Sequence, residues 1–129
     1  MIKNIIFDFD GVILDSVNIK TEAFFNLYEK YGPDISKKVV DYHLLNGGIS
    51  RYEKFTYFGK NFLNYEYSQS EINNLSSKFE NLVKEKVCNA SFIKGAYEFI
   101  KTYYKKYNFY ISTGTPQNEI EYIVMERQL

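Results

Sequence analysis

Two aspartates at i and i+2, Asp8 and Asp10, close the first apolar run of the sequence, Asn4-Ile-Ile-Phe-Asp-Phe-Asp-Gly11. Carboxylates this close repel each other unless one holds a proton or a cation lies between them. Magnesium suits the second case, because it is held by few carboxylates together with water and substrate phosphate. Ile5, Ile6, Phe7 and Phe9 predict a buried parallel strand over 4–9 with both faces covered. Alternation then puts both carboxylates on one face. They stand at the C-terminal end of the strand, where open α/β sheets carry their ligand sites. Asp-x-Asp also occurs in metal-dependent glycosyltransferases and in calcium loops. A calcium loop fails here because Gly11 comes too early and no Glu closes twelve residues. A glycosyltransferase needs a nucleotide-binding fold before the motif, and only seven residues precede Asp8.

The elements that must position this pair follow from periodicity. Gly11 allows a tight turn, and a helix is predicted from Asp15 or Ser16, with Ile19, Ala23, Leu27 and Tyr31 on one face. Gly32-Pro33 ends it. A second helix is expected over about 35–46, stopped by Gly47-Gly48. Ser50 caps a third, which turns Phe55, Phe58 and Phe62 inward. Ser68-Gln-Ser-Glu71 is a capping box that opens a fourth helix reaching about Val87. Residues 88–94 read as a linker and 95–105 as a helix. Asn108 to Ser112 reads as a second strand, and a last helix follows with Pro116 in its first turn and Thr115 as its cap. The two strands are predicted to be parallel neighbours. The crossover between them is long enough to contain an inserted subdomain.

Composition narrows the function classes. The 129 residues carry 16 basic and 16 acidic side chains. That balance gives no basic surface for nucleic acid or an acidic membrane. No apolar run approaches a membrane span, and the two aspartates interrupt any signal-peptide core. The single cysteine, Cys88, permits no internal disulfide, and with the single histidine, His43, it rules out a zinc site of several His and Cys ligands. A cytoplasmic protein is expected. The 13 Tyr and 11 Phe are read as core filling. No role is assigned to His43 or Cys88.

Asp8-x-Asp10-Gly11-Val12-x-x-Asp15-Ser16 resembles the first motif of the haloacid dehalogenase-like (HAD) superfamily, in its capped phosphatase branch, of the phosphoglycolate-phosphatase kind. The resemblance implies that Asp8 attacks phosphorus and becomes an aspartyl-phosphate. It implies that Asp10 protonates the leaving alcohol and then activates water, and that both aspartates bind Mg2+, Asp10 through its backbone carbonyl. Phe109-Tyr-Ile-Ser-Thr-Gly-Thr-Pro116 resembles the second motif. The Thr113 hydroxyl and the Gly114 amide are then the phosphate-binding groups, with Ser112 as the alternative by one register step. The implied fold is α/β. Residues 1–15 and 91–129 form an incomplete Rossmann-like core holding its first two parallel strands, and 16–90 form an inserted all-helical cap. Gly47-Gly-Ile-Ser-Arg51 resembles a cap loop that reaches the active site, so Arg51 and Lys54 are candidates to touch an anionic substrate.

Two further motifs of the family are expected beyond Leu129: a lysine that neutralises the phosphoryl group, and an acidic pair that completes the magnesium site. No Lys follows Thr113. The expected function is magnesium-dependent hydrolysis of a small phosphorylated metabolite. The alternative is a catalytically incompetent chain that binds phosphate or acts as a protein-interaction module. The strand edge left bare by the incomplete core also makes self-association an expectation.

Overall fold

A computed structural model describes all residues 1–129. The element order is β1 (Asn4–Phe7), α1 (Val17–Tyr28), a 3-10 turn (Glu29–Tyr31), α2 (Pro33–Leu45), α3 (Arg51–Phe62), α4 (Gln69–Cys88), α5 (Ala96–Tyr103), β2 (Asn108–Ile111) and α6 (Gln117–Glu126). The strands pair in parallel with Asn4 opposite Asn108 and Phe7 opposite Ile111. Five helices, α1 to α5, lie between them in the chain, and the first four form the helical cap. The remaining helices, α5 and α6, flank β2 in sequence.

Local chemistry explains most boundaries. Ser68 and Glu71 form the reciprocal capping box at the start of α4, each side chain accepting from the other's backbone amide. Ser50 accepts from the Glu53 amide at the start of α3. Pro33 does more than end the preceding helix: it is the first residue of α2, where its missing N–H costs nothing. The predicted cap at Thr115 is not formed. Pro116 occupies the N-cap position of α6 with no side-chain cap bond, and the Thr115 side chain is engaged elsewhere.

One apolar cluster runs through the molecule, with its aromatic centre in the cap and an extension through Phe9, Ile13, Leu14, Ile120 and Ile123. Phe24 on α1 lies 4.4 Å from the Phe79 ring of α4 and 5.6 Å from the Phe55 ring of α3. With Phe58 and Val83 these side chains are at most 1% exposed. The sheet is different. Its first strand stops at Phe7, two residues short of the predicted end, because the turn at 9–14 captures Phe9: the amides of Val12 and Ile13 both donate to its carbonyl. Both strands alternate between exposed and half-buried residues, in place of the two covered faces expected. Two strands alone cannot bury both of their faces.

Candidate active site

Asp8 and Asp10 sit on the turn that leaves β1, and Ser112, Thr113 and Gly114 on the turn that leaves β2. Strand pairing brings the two turns together: the Ser112 amide donates to the Phe7 carbonyl at 2.8 Å, one step past the ladder. Gly11, at φ 77°, makes the reversal directly after Asp10. A cavity of about 550 Å³ opens at this end of the sheet. Asp8, Asp10, Thr113 and Gly114 border it from the core, and His43 and Gly47 from the cap. All four core residues singled out in the sequence therefore meet in one place. Ser112 borders the same cavity.

A chain of hydrogen bonds links the two turns. Asp10 accepts from the Ser16 hydroxyl on one oxygen and from Lys20 Nζ on the other, at 2.7 Å. Lys20 also donates to Thr115 Oγ1 at 2.8 Å. The Thr113 hydroxyl donates to Thr115 Oγ1 at 3.1 Å and accepts from the Thr115 amide at 3.2 Å. Lys20, which sequence reasoning passed over, is thus the joint between the two motifs. Its signal was present: it lies three and four residues before the buried pair Ala23 and Phe24, a charge within an apolar stripe.

The cap residues Arg51 and Lys54 lie apart from the main cavity and border a narrow neighbouring cleft of about 30 Å³, together with Asp10, Lys20 and Gly114. Arg51 is only 5% exposed. Its guanidinium donates two bonds, 2.9 and 2.6 Å, to the carboxylate of Glu119 on α6 and stacks on the Phe79 ring. Lys54, 3% exposed, donates to His43 Nδ1 at 3.0 Å and has no carboxylate within salt-bridge reach. Burial, reinforced by the nearby Lys20 charge, pulls Lys54 down to about 8; burial and the Lys54 charge pull His43 down to about 4. Gly114 lets the cap loop sit directly on the second motif: a Cβ there would stand 3.2 Å from the Ile49 carbonyl.

No three His, Cys, Asp or Glu side chains gather into a complete cation shell. The donors that are present suit magnesium all the same. Asp8 is an exposed carboxylate bonded only to the Phe9 amide, and no backbone amide donates to the Asp10 carbonyl. These are two hard oxygens beside open volume, and magnesium takes its remaining ligands from water and phosphate.

This architecture, with paired acids and a Thr-Gly turn at neighbouring parallel strand ends, is an incomplete Rossmann-like α/β core with an inserted helical cap. The haloacid dehalogenase-like hydrolase family profile matches residues 5–129, and the chain belongs to that family. Solved structures carry the same fold. A hydrolase from Pseudomonas syringae is 17% identical, with a TM-score of 0.76 over 100% of this chain and 57% of its own. A β-phosphoglucomutase from Clostridium difficile is 24% identical, with a TM-score of 0.75 over 100% of this chain and 58% of its own. A magnesium-bound HAD hydrolase from Bacillus subtilis is 20% identical, with a TM-score of 0.62 over 99% of this chain and 60% of its own. The chain therefore spans between half and three fifths of the length of the structures it matches. No curated protein matches it in sequence.

Proposed function

We propose that this chain carries the nucleophile and general acid of a magnesium-dependent phosphatase acting on small phosphomonoesters. The observation that supports it most is the meeting of Asp8, Asp10, Thr113 and Gly114, from segments a hundred residues apart, around one cavity at the strand ends. Asp8 is the exposed member of the acid pair and is free to attack. Its oxygen forms a bond to phosphorus as the ester P–O bond breaks, and the departing alcohol takes a proton from Asp10. Water then attacks the aspartyl-phosphate, gives a proton back to Asp10 and releases Asp8 with inorganic phosphate. Ser16 and Lys20 donate to the two Asp10 oxygens and fix its orientation; one of these bonds must give way when Asp10 takes up the proton it passes to the alcohol. Thr113 and the Gly114 amide suit the phosphate oxygens. Magnesium, held by the Asp8 carboxylate and the Asp10 carbonyl, would offset the phosphate charge. The magnesium-bound B. subtilis neighbour favours this choice of metal.

The β-phosphoglucomutase neighbour makes a sugar phosphate a reasonable substrate class, with water as the acceptor here. A second reading, a phosphate-binding or interaction module without turnover, is favoured by one observation: no three His, Cys, Asp or Glu side chains gather around a cation position. Loss of a phosphoryl-neutralising cation costs about three to five orders of magnitude at comparable sites. Magnesium-dependent hydrolysis of an aryl phosphate, with Asp8→Asn as the control, separates the two. Turnover that vanishes in Asp8→Asn supports the phosphatase. Phosphate binding without turnover above that control supports the module.

A further inference from the structure

The two segments that lead into and out of the cap lie side by side. The Asp15 amide donates to the Ser91 carbonyl and the Ile93 amide to the Ile13 carbonyl, each at 2.9 Å, and Leu14 pairs with Phe92 as an antiparallel bridge. Two segments joined in this way move together and form the pivot of the cap. Arg127, at the C-terminal end of α6, braces the same place by donating to the Cys88 and Ala90 carbonyls. Glu119 stands in the first turn of α6, eight residues and about 12 Å along the helix from Arg127. There its carboxylate holds Arg51, the first residue of α3, through two bonds of 2.9 and 2.6 Å, with the side chains 4% and 1% exposed. Arg51 ends the cap loop that begins at Gly47. Gly47 and Gly48 border the main cavity with Asp8 and Thr113, and the Ile49 carbonyl rests on Gly114. Two other polar contacts cross from cap to core. Lys20 meets Asp10 and Thr115 only one helical turn beyond the pivot. Lys84 of α4 lies 4.1 Å over the Tyr122 ring, but its side chain is 34% exposed. Such a contact is weak beside a buried bidentate ion pair, whose loss strands a charge.

We propose that Glu119 is a positioning residue of the site: acting through Arg51, it latches the cap loop 47–50 onto Gly114 and so sets the cap-side wall of the cavity. The counter-charge of Arg51 comes from the chain itself. Closure therefore needs no anionic group on the substrate, and Arg51 stays out of reach of one while the latch holds. Breaking the pair lets the cap turn about the 14–16 and 90–92 segments and releases Arg51 to water. The latch stands on contacts within the chain; only its consequence for a substrate rests on the phosphatase reading.

Arg51 and Arg127 are the only arginines in the sequence, so the latch carries its own probe. The full chain is treated with phenylglyoxal, which modifies arginine, and the rate at each position is followed by peptide mass spectrometry. In the wild type Arg51 is expected to react far more slowly than Arg127; comparable rates would overturn the latch outright. Glu119→Gln keeps the shape of the side chain and removes its charge. It is expected to speed modification of Arg51 by about 10- to 100-fold, the worth of one charged hydrogen bond in the opening equilibrium. The rate at Arg127 should not change. An equal rise at both arginines would show general unfolding in place of a local opening, and an unchanged Arg51 would show that Glu119 holds nothing shut; either result overturns the proposal. Lys84→Met removes the other contact between α4 and α6 and leaves the latch intact. There the Arg51 rate should rise no more than about fivefold. A rise of about tenfold or more in Lys84→Met would spread closure over the whole face between α4 and α6 and overturn the role of Glu119, even if Glu119→Gln failed to fold. None of these readings uses a substrate, so they stand or fall apart from the phosphatase assay.

Discussion

The cap and the core of this protein are built from the same amino acids and packed to different degrees. In the cap, Phe24, Phe55, Phe58 and Phe79 are at most 1% exposed and their rings meet edge to face or tilted. In the core, Ile6 is 68% and Tyr110 54% exposed, although both sit in the middle of strands. A second apolar hollow, bordered by Phe7, Ile100, Phe109 and Leu129 among others, opens beside the sheet. Parallel sheets are ordinarily covered on both faces. The aromatic centre of the cap is thus packed within these 129 residues, although Leu44 and Leu45 at the end of α2 stay exposed, and the two strands have no such centre of their own. The solved structures of this fold are nearly twice as long. The candidate site lies on the boundary between the two regions and draws residues from both.

The difference in packing should be measurable as a difference in what each region contributes to stability. Phe24→Ala removes a ring at the centre of the aromatic cluster, and the expected loss is about 3–5 kcal/mol, read by urea unfolding. Tyr110→Ser removes a ring of similar size from the sheet face and should cost no more than about 0.5 kcal/mol. Similar losses at the two positions would mean that something covers the sheet in solution, and self-association through the bare strand edge is the first explanation to examine.

The next test concerns the seam that joins the regions. Arg51 and Glu119 form a bidentate pair between α3 of the cap and α6 of the core, with side chains 4% and 1% exposed. Removing one partner of such a pair strands the other charge, and Glu119→Ala is expected to cost about 3–5 kcal/mol in the same unfolding assay. Replacing both members by Met should recover most of that, because much of the cost is the unpaired ion and not the lost attraction. If Glu119→Ala alone is harmless, the cap is free to swing away from the core and let Arg51 reach water. That result would turn the cleft between Arg51, Lys54 and Gly114 into an open part of the substrate cavity.

How much of this was legible in the sequence follows the same division. Local signals were sufficient where a neighbour a few residues away decides the outcome: the capping box at Ser68, the cap at Ser50, the apolar stripe of α4. The Asp8/Asp10 and Thr113/Gly114 motifs were legible because their spacing and flanks are specific, and parallel pairing was enough to bring them together. What could not be read was partner choice across the seam. Thr115 looked like a helix cap because it precedes Pro116, but Lys20, 95 residues away, claims its hydroxyl. Arg51 looked free to meet an anion, and Glu119 holds it. His43 looked idle because nothing local reveals that Lys54, eleven residues on, reaches its ring. Each miss is a buried polar group whose partner lies on another element. Periodicity says that such a group is buried, which is itself a signal, but not what answers it.

The last prediction uses that buried polar layer. His43 is held near 4 in the folded protein against 6.5 when free, by burial first and then by the Lys54 and Lys20 charges. Between those two values the unfolded chain binds a proton that the folded chain refuses. Stability is therefore complete above about pH 6.5 and falls as the pH drops toward 4. The full difference is on the order of 3 kcal/mol for this one group. Lys54 adds nothing in that window, because it is protonated in both states below about 8; its own contribution appears above 8, where the folded chain releases the proton first and stability rises with pH. Urea unfolding of the wild type and of His43→Phe at pH 4.5, 5.5 and 7 isolates the histidine from the carboxylates that titrate nearby. The gap between the two proteins should shift in favour of the variant as the pH falls. A gap that stays constant from pH 7 to 4.5 would mean that the ring already reaches water in solution, and that the seam between cap and core is looser than its closed geometry.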